Sequence, residues 1–474
     1  MREYEWNIDK ALTRGLSPEQ MPVNAEFLYQ CLGFRCGKAR LEAHVLLTNP
    51  IPATIDMYYE WPFPQFLIGD TFNILVIRDT VNQQDSVYSV SADHLTVTHI
   101  FDVDELTFGK GTLMEYADFG EYAIMVNGVI TIAWSPVLNA WTTSLATAAI
   151  PLMKTICNLK GQAIGGNVVA GTWYDCDETF YIWSKIGSAD FIPDENNEAG
   201  YRRCPYGGTV YNVRRLGDFA VGYSSKGVVL MAAVNDPAPT FGFREMSPIG
   251  MINQGAVNGN FDRHIYVGED FILREITKDG VKDLGYQSYI EQLDGEDIII
   301  SYDPQKNDYY IGNSTKTFLL SPTGMTEVLQ HPSTVWKSNR IAYMLPDTVD
   351  SNLPLITSEA IDMGYAGQKT IASIETDVMV VDSPEAGADY TNDNSVWGLA
   401  TYKSMNNQGV TAITASGNSF RASLRFAEIY NNTRISYIKV RFKMTDLRGM
   451  RGVYPPSTSF RGVGNELNAL LKGL

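Results

Sequence analysis

The chain has 474 residues, 45% hydrophobic and 19% charged, with 40 Gly and 21 Pro, a globular profile that excludes a disordered polypeptide and a coiled coil. Its 54 acidic residues against 37 basic ones leave a net charge of −17, so the surface as a whole repels nucleic acid and a general DNA or RNA binder is disfavoured. Five cysteines (Cys31, Cys36, Cys157, Cys176 and Cys204) are an odd and sparse set, which predicts reduced, buried thiols rather than a disulfide framework.

Residues 1–60 are predicted to form an N-terminal arm leading into the first strands. They combine a short amphipathic stretch, Ala25 to Gln30, with an extended one, Glu42 to Leu47, ending at Asn49-Pro50-Ile51-Pro52. The start, Met1-Arg2-Glu3-Tyr4-Glu5-Trp6, has no basic segment followed by an apolar one. The longest apolar runs, such as Gly227 to Val234, reach only about eight residues where a membrane helix needs roughly 20. A chain that stays in the cytosol and has no membrane-spanning segment is expected.

Residues 61–330 are read as the β-propeller-like body, and from about residue 119 onward they carry a faint repeat. Two β-rich runs, Glu121 to Val126 and Val129 to Trp134, flank Asn127-Gly128, the dipeptide best suited to positive φ at both centres of a tight hairpin turn. The same grammar recurs around Asp177, Lys226, Glu269 and Ser314, and the five turn centres fall 43–49 residues apart. That is the spacing of one four-stranded propeller blade. The predicted fold class is mainly β, with a central β-propeller-like domain and additional β-rich flanking segments. A large β-sandwich gives similar turn spacing without the long period and stays open as the alternative. The Trp-Asp dipeptide and the kelch glycine pair are absent.

Residues 331–420 form a Ser-, Asn- and Gly-rich segment of strands and loops. Residues 421–474 close the chain with a basic strand and tail, in which Tyr437 to Met444 alternates with the period of a half-exposed strand. This last stretch holds 10 Lys and Arg against 3 Asp and Glu, a basic tail on an acidic body.

No catalytic, cofactor-binding or metal-ligating set is assigned. The five histidines never take the spacing of a helical zinc site, and His94 and His99 lie on opposite faces of a strand. There is no nucleophile elbow or phosphate-binding loop, and Gly109-Lys110-Gly111 and Gly462-Val463-Gly464 read as short turns. The acidic clusters Asp102 to Glu105 and Asp175 to Glu178 lack the Gly and Glu that a calcium-binding EF-hand loop requires, and read as solvated turns. No cofactor and no enzymatic activity are expected.

The stretch from Trp183 to Phe191 (Trp-Ser-Lys-Ile-Gly-Ser-Ala-Asp-Phe), then Val210-Tyr211-Asn212-Val213 and Leu216 to Ser224, resembles a phrase in the packaged-DNA stabilisation, or tail-hub and nozzle, proteins of short-tailed bacteriophages. The chain length and the closing patterns Arg425 to Tyr430 and Ile438 to Arg441 are similar as well, and about half the chain takes part. The resemblance implies a non-enzymatic structural ring, usually a hexamer. Such a ring is assembled in the bacterial cytoplasm, resides in the virion tail, extends the portal and adaptor channel, and carries tailspikes or fibres. Genomic DNA passes through without sequence-specific contact, and an acidic wall suits such a conduit because it does not hold phosphate. Within this reading Arg434, Lys439, Arg441, Lys443, Arg448 and Arg451 are candidate interface residues toward an acidic neighbouring subunit or adaptor, since Arg pairs bidentately with carboxylates. Two other readings of these residues are a solvated basic edge that blocks sheet aggregation and a DNA contact at the channel entrance. The competing functional class is a carbohydrate-binding or carbohydrate-cleaving propeller, in which Trp61, Trp134, Trp141, Trp173, Trp183, Trp336 and Trp397 would stack on sugars.

Overall fold

Short runs of β-branched, aromatic and small residues, cut every few positions by Gly, Asn or Asp, pair most readily with their immediate chain neighbours. In the computed structural model the protein is accordingly mainly β, built of many small sheets; the helices among the described residues are the short Lys10–Arg14 and Gln287–Ile290. The structure describes residues 3–19, 26–44, 55, 60–69, 71–79, 84–92, 96–104, 113–119, 122–143, 150–234, 240–293, 295, 297–338, 341–345, 352–365, 367–378, 384–430 and 432–445. His94, Glu105, Gly109 to Gly111, Arg448, Arg451 and the Gly462 turn lie outside them.

The chain divides into two units: residues 46–317 with 330–349, and residues 1–45 with 318–329 and 350–474. The divisions read from composition, at 60, 330 and 420, follow the chain. These units instead gather distant segments through strand pairing, which local composition does not report.

The larger unit contains five consecutive four-stranded antiparallel meanders, each with its strands in chain order. Their first strands are Gln65–Ile68, Glu115–Phe119, Met153–Leu159, Val210–Leu216 and Val257–Gly259. A hairpin of Ile299–Asp303 and Asp308–Gly312 and a strand pair of Thr334–Ser338 and Ile341–Leu345 follow. The turns at Gly128, Asp177, Lys226 and Glu269 each join the second and third strands of a meander, so the period of the sequence is the period of the sheets. The Asn127-Gly128 connection is longer than the tight turn expected. Residues 127–130 form the loop, and of the two only Gly128 adopts positive φ. The buried Asn127 side chain is the reason: its Oδ1 accepts hydrogen bonds from the Val129 and Ile130 amides and so caps a wider loop.

Both faces of the third meander are buried against its neighbours, which explains why its strands read as near-continuous apolar runs. In the third meander Ile156, Ala163 and Ile182 join a core with Ile124, Val126 and Ala133 of the second. The residues one position away, Cys157, Ile164, Tyr181 and Trp183, join a core with Val213, Ala220 and Val229 of the fourth. Successive side chains of a strand point to opposite faces, so each strand serves two cores.

The smaller unit has a sheet in the order Glu3–Asn7, Ile438–Met444, Lys369–Thr376, Val410–Gly417. A second sheet pairs Leu28–Leu32 with Leu355–Ser358, then Ser419–Phe426, Pro384–Thr391 and Lys403–Ser404. A small third one joins Phe34–Cys36, Leu41–Ala43 and Arg434–Ile435. Strands from the N-terminal arm, the Ser- and Asn-rich segment and the basic tail therefore share sheets. The end of the amphipathic stretch, from Leu28, forms the strand Leu28–Leu32 of the second sheet. All five cysteines are buried and none is in a disulfide.

Candidate functional site

Of the predicted interface residues, Lys439, Arg441 and Lys443 lie on one face of Ile438–Met444, half-buried, while Ile438, Val440, Phe442 and Met444 point into the core. This strand is interior to its sheet rather than an edge, flanked by Glu3–Asn7 and Lys369–Thr376. Its basic face is met by carboxylates of the same unit. Lys443 Nζ lies 2.9 Å from Glu3, Arg441 lies 3.3 Å from Glu5 and 2.8 Å from Glu375, and Lys439 lies 3.4 Å from Glu375. Lys443 in turn holds the Glu3 carboxyl below its ordinary value, through its hydrogen bond first and its charge second. Arg434 is exposed on a separate two-residue strand, opposite Glu42. The structure thus brings three of the six together, sets Arg434 on another sheet, and does not describe Arg448 and Arg451.

The second feature is a pair of cavities in the larger unit, of about 320 and 280 Å³, which share Ile68, Glu115, Tyr116, Arg214 and Gly259 in their walls. The first strands of all five meanders contribute to the two linings, and Ile299–Asp303 and Thr334–Ser338 add to the larger.

Hydrogen bonds between neighbouring first strands run around these cavities. Met114 N donates to Gln65 Oε1, Asn158 Nδ2 to Asp118 O, and Val213 N to Thr155 Oγ1. Asn212 Nδ2 donates to Gln254 O, Asn258 Nδ2 to Ile300 O, and Ser301 Oγ to Ser333 O. Ser333 Oγ then donates to Pro64 O, back at the first meander. Side-chain amides suit this task, since they reach backbone groups that the strand ladders leave unpaired.

Glu115 and Arg214 sit where the two cavities meet. Asn212 Nδ2 donates to Glu115 Oε1 at 3.0 Å, and the Arg214 guanidinium stands 3.8 Å from the same oxygen. Burial pushes the Glu115 carboxyl up, and Arg214 and Asn212 pull it partly back. Sequence reasoning missed both residues. The available signal was the pair of charged residues in each of two first strands of the repeat, Arg214 and Arg215 in Val210–Leu216 and Glu115 and Asp118 in Glu115–Phe119.

The remaining candidates have local roles. Asp177 Oδ1 accepts from Thr179 N and Oγ1 and closes a turn. His99 is exposed and pairs with Asp102 at 2.8 Å. Trp183 is buried. Trp134 and Trp141 pack edge to face with Phe72 beside them, Trp61 donates to Asp297 O, and Trp397 stacks on the Arg421 guanidinium at 4.2 Å. No helix among the described residues is long and apolar enough to cross a membrane.

No family model matches the chain, and no curated protein does. Among solved structures it is similar to the extracellular domain of a one-component system from B. thetaiotaomicron, with a TM-score of 0.39 and 10% identity over 74% of this chain and 44% of that one. It is also similar to PorZ, a surface component of the type-IX secretion system of Porphyromonas gingivalis, with a TM-score of 0.35 and 12% identity over 59% of this chain and 35% of that one. The chain spans less than half the length of either structure.

Proposed function

We propose that the protein is a structural subunit of a short-tailed bacteriophage tail, a non-enzymatic hub or nozzle whose copies form a ring, most simply a hexamer, in the virion. In this reading the larger unit is propeller-like, and the ring extends the portal-adaptor channel, retains packaged DNA without sequence-specific contact and carries tailspikes or fibres. The observation that carries it is the phrase between Trp183 and Ser224. It spans the end of the third meander and the start of the fourth, and Trp183, Val213 and Ala220 within it belong to the core those meanders share. The propeller-like reading draws support from the meanders in chain order and from the hydrogen bonds that run from Gln65 around to Ser333 and back to Pro64.

A ring interface of this kind buries an obligate-size area, more than about 2,000 Å². In the interface reading Arg434, Arg448, Arg451 and the Lys439, Arg441 and Lys443 face meet an acidic neighbour, which would share the last three cations with Glu3, Glu5 and Glu375. The test is mass photometry and particle imaging of the purified full-length chain at micromolar concentration, alone and with its adaptor. Rings of uniform order are expected. A monomer under both conditions overturns the proposal, and turnover of a polysaccharide abolished by one Asp or Glu substitution overturns the non-enzymatic part of it.

A further inference from the structure

Arg214, on the first strand of the fourth meander, carries a guanidinium whose Nε is buried without a hydrogen-bond partner. No hydrogen bond from the group is found among the described residues, and Glu115 at 3.8 Å is beyond hydrogen-bonding reach. Arg214 nonetheless borders both cavities, and 30% of its side-chain surface remains accessible. A guanidinium presents its donors in a rigid planar fork, and with Nε buried it is the accessible terminal nitrogens, which no side chain of the described residues hydrogen-bonds, that are complementary to a ligand carboxylate. From this geometry we infer that the larger cavity is a binding site for a small hydroxylated monocarboxylate of the sugar-acid class, with the ligand carboxylate on Arg214 and a ligand hydroxyl donating to Glu115.

Three features select that chemistry. Glu115 lies beside the fork with one oxygen already engaged by Asn212, so its other oxygen accepts a hydroxyl proton while its charge repels a dianion such as phosphate. The lining mixes polar groups with apolar patches at Phe66, Leu113, Val257 and Ile299, which suits a hydroxylated ring with C–H faces. A volume of about 320 Å³ stands at the small end of ligand pockets, which matches one ring rather than a chain of them. Every residue in the site belongs to the larger unit of one chain, so the inference does not rest on ring assembly.

Isothermal titration calorimetry on the full-length protein tests this with D-glucuronate, D-glucose and inorganic phosphate as probes. Glucuronate is expected to bind, and glucose, which lacks the carboxylate, to bind at least about tenfold more weakly. Arg214→Gln is expected to weaken glucuronate at least about tenfold in a protein that remains folded, and Arg214→Lys, which keeps the charge beside Glu115 without the fork, falls between. Glu115→Gln is expected to admit phosphate more tightly than the wild type does. No heat with millimolar glucuronate, equal affinity for glucose, or undiminished binding by a folded Arg214→Gln protein overturns the inference.

Discussion

Arg78 and Asp85 face each other across the second and third strands of the first meander, and their side chains are 1% and 3% exposed. Two parallel bonds join them, Nε to Oδ1 at 2.8 Å and Nη2 to Oδ2 at 2.9 Å, and the guanidinium lies 4.1 Å from the centre of the Phe63 ring. Such a pair adds little net stability against an apolar replacement, but removing one partner takes the bidentate counter-charge from a buried ion. Asp85→Ala is therefore expected to cost about 3–5 kcal/mol in urea unfolding, and Arg78→Met with Asp85→Leu far less. His264 is a second buried polar anchor. Its Nε2–H donates to Arg215 O and its Nδ1 accepts from the Tyr223 hydroxyl, and burial, with Arg214 adding to it, lowers its pKa to about 3. The unfolded chain takes up this proton below about pH 6.5 while the folded one refuses it until about pH 3. Stability is thus fully present above pH 6.5 and lost progressively as the pH falls toward 3. Thermal melts between pH 7 and 5 are expected to show a falling midpoint, with a shallower slope in His264→Gln.

At the scale of elements, the ladder between Glu3–Asn7 and Ile438–Met444 pairs opposite charges rung by rung, Glu3 with Lys443 and Glu5 with Arg441. Cross-strand pairs of this kind contribute fractions of a kcal/mol each when half exposed. Arg441→Glu sets three carboxylates together beside Glu5 and Glu375, and is expected to cost about 1–2 kcal/mol, partly recovered by adding Glu5→Lys. Scoring ring formation in the same variants by mass photometry separates fold from assembly: a double variant that regains stability without regaining rings assigns the basic face to the interface. Gly250 marks a different constraint. A Cβ there would stand 2.2 Å from the Ser225 carbonyl carbon and oxygen, a backbone that cannot rotate away, so Gly250→Ala is expected to destabilise by about 1–3 kcal/mol in the same assay.

At the scale of the whole molecule, the hydrogen bonds between first strands couple the meanders of the larger unit. Ser333 carries the return of that circuit, accepting at its carbonyl from Ser301 and donating to Pro64. Ser333→Ala is expected to leave the Ser301 bond intact and to lose the one to Pro64, at about 1–2 kcal/mol. Hydrogen exchange reads the consequence as faster exchange in Gln65–Ile68, the strand next to Pro64, with the third and fourth meanders unchanged. Uniform acceleration through the unit would show instead that the meanders open only together.

The sequence by itself determined the mainly β class, the turns at Gly128, Asp177, Lys226 and Glu269, and the alternating strand at Ile438 to Met444. Each of these depends on residues close in the chain: a turn needs its own Gly, Asn or Asp, and a strand displays its two faces in its own period. The reach of the Asn127 side chain widened one turn beyond the tight form, a hydrogen-bonding choice made only in three dimensions. Tertiary structure alone decided that the N-terminal arm, the Ser- and Asn-rich segment and the basic tail share sheets, because strand pairing is a long-range bond pattern with no local code. It likewise decided that Lys439, Arg441 and Lys443 face Glu3, Glu5 and Glu375, and that Glu115 and Arg214, distant in the chain, meet between two cavities. Charges in a sequence announce that they need a partner, and only the fold supplies which one, or leaves a fork open for a ligand.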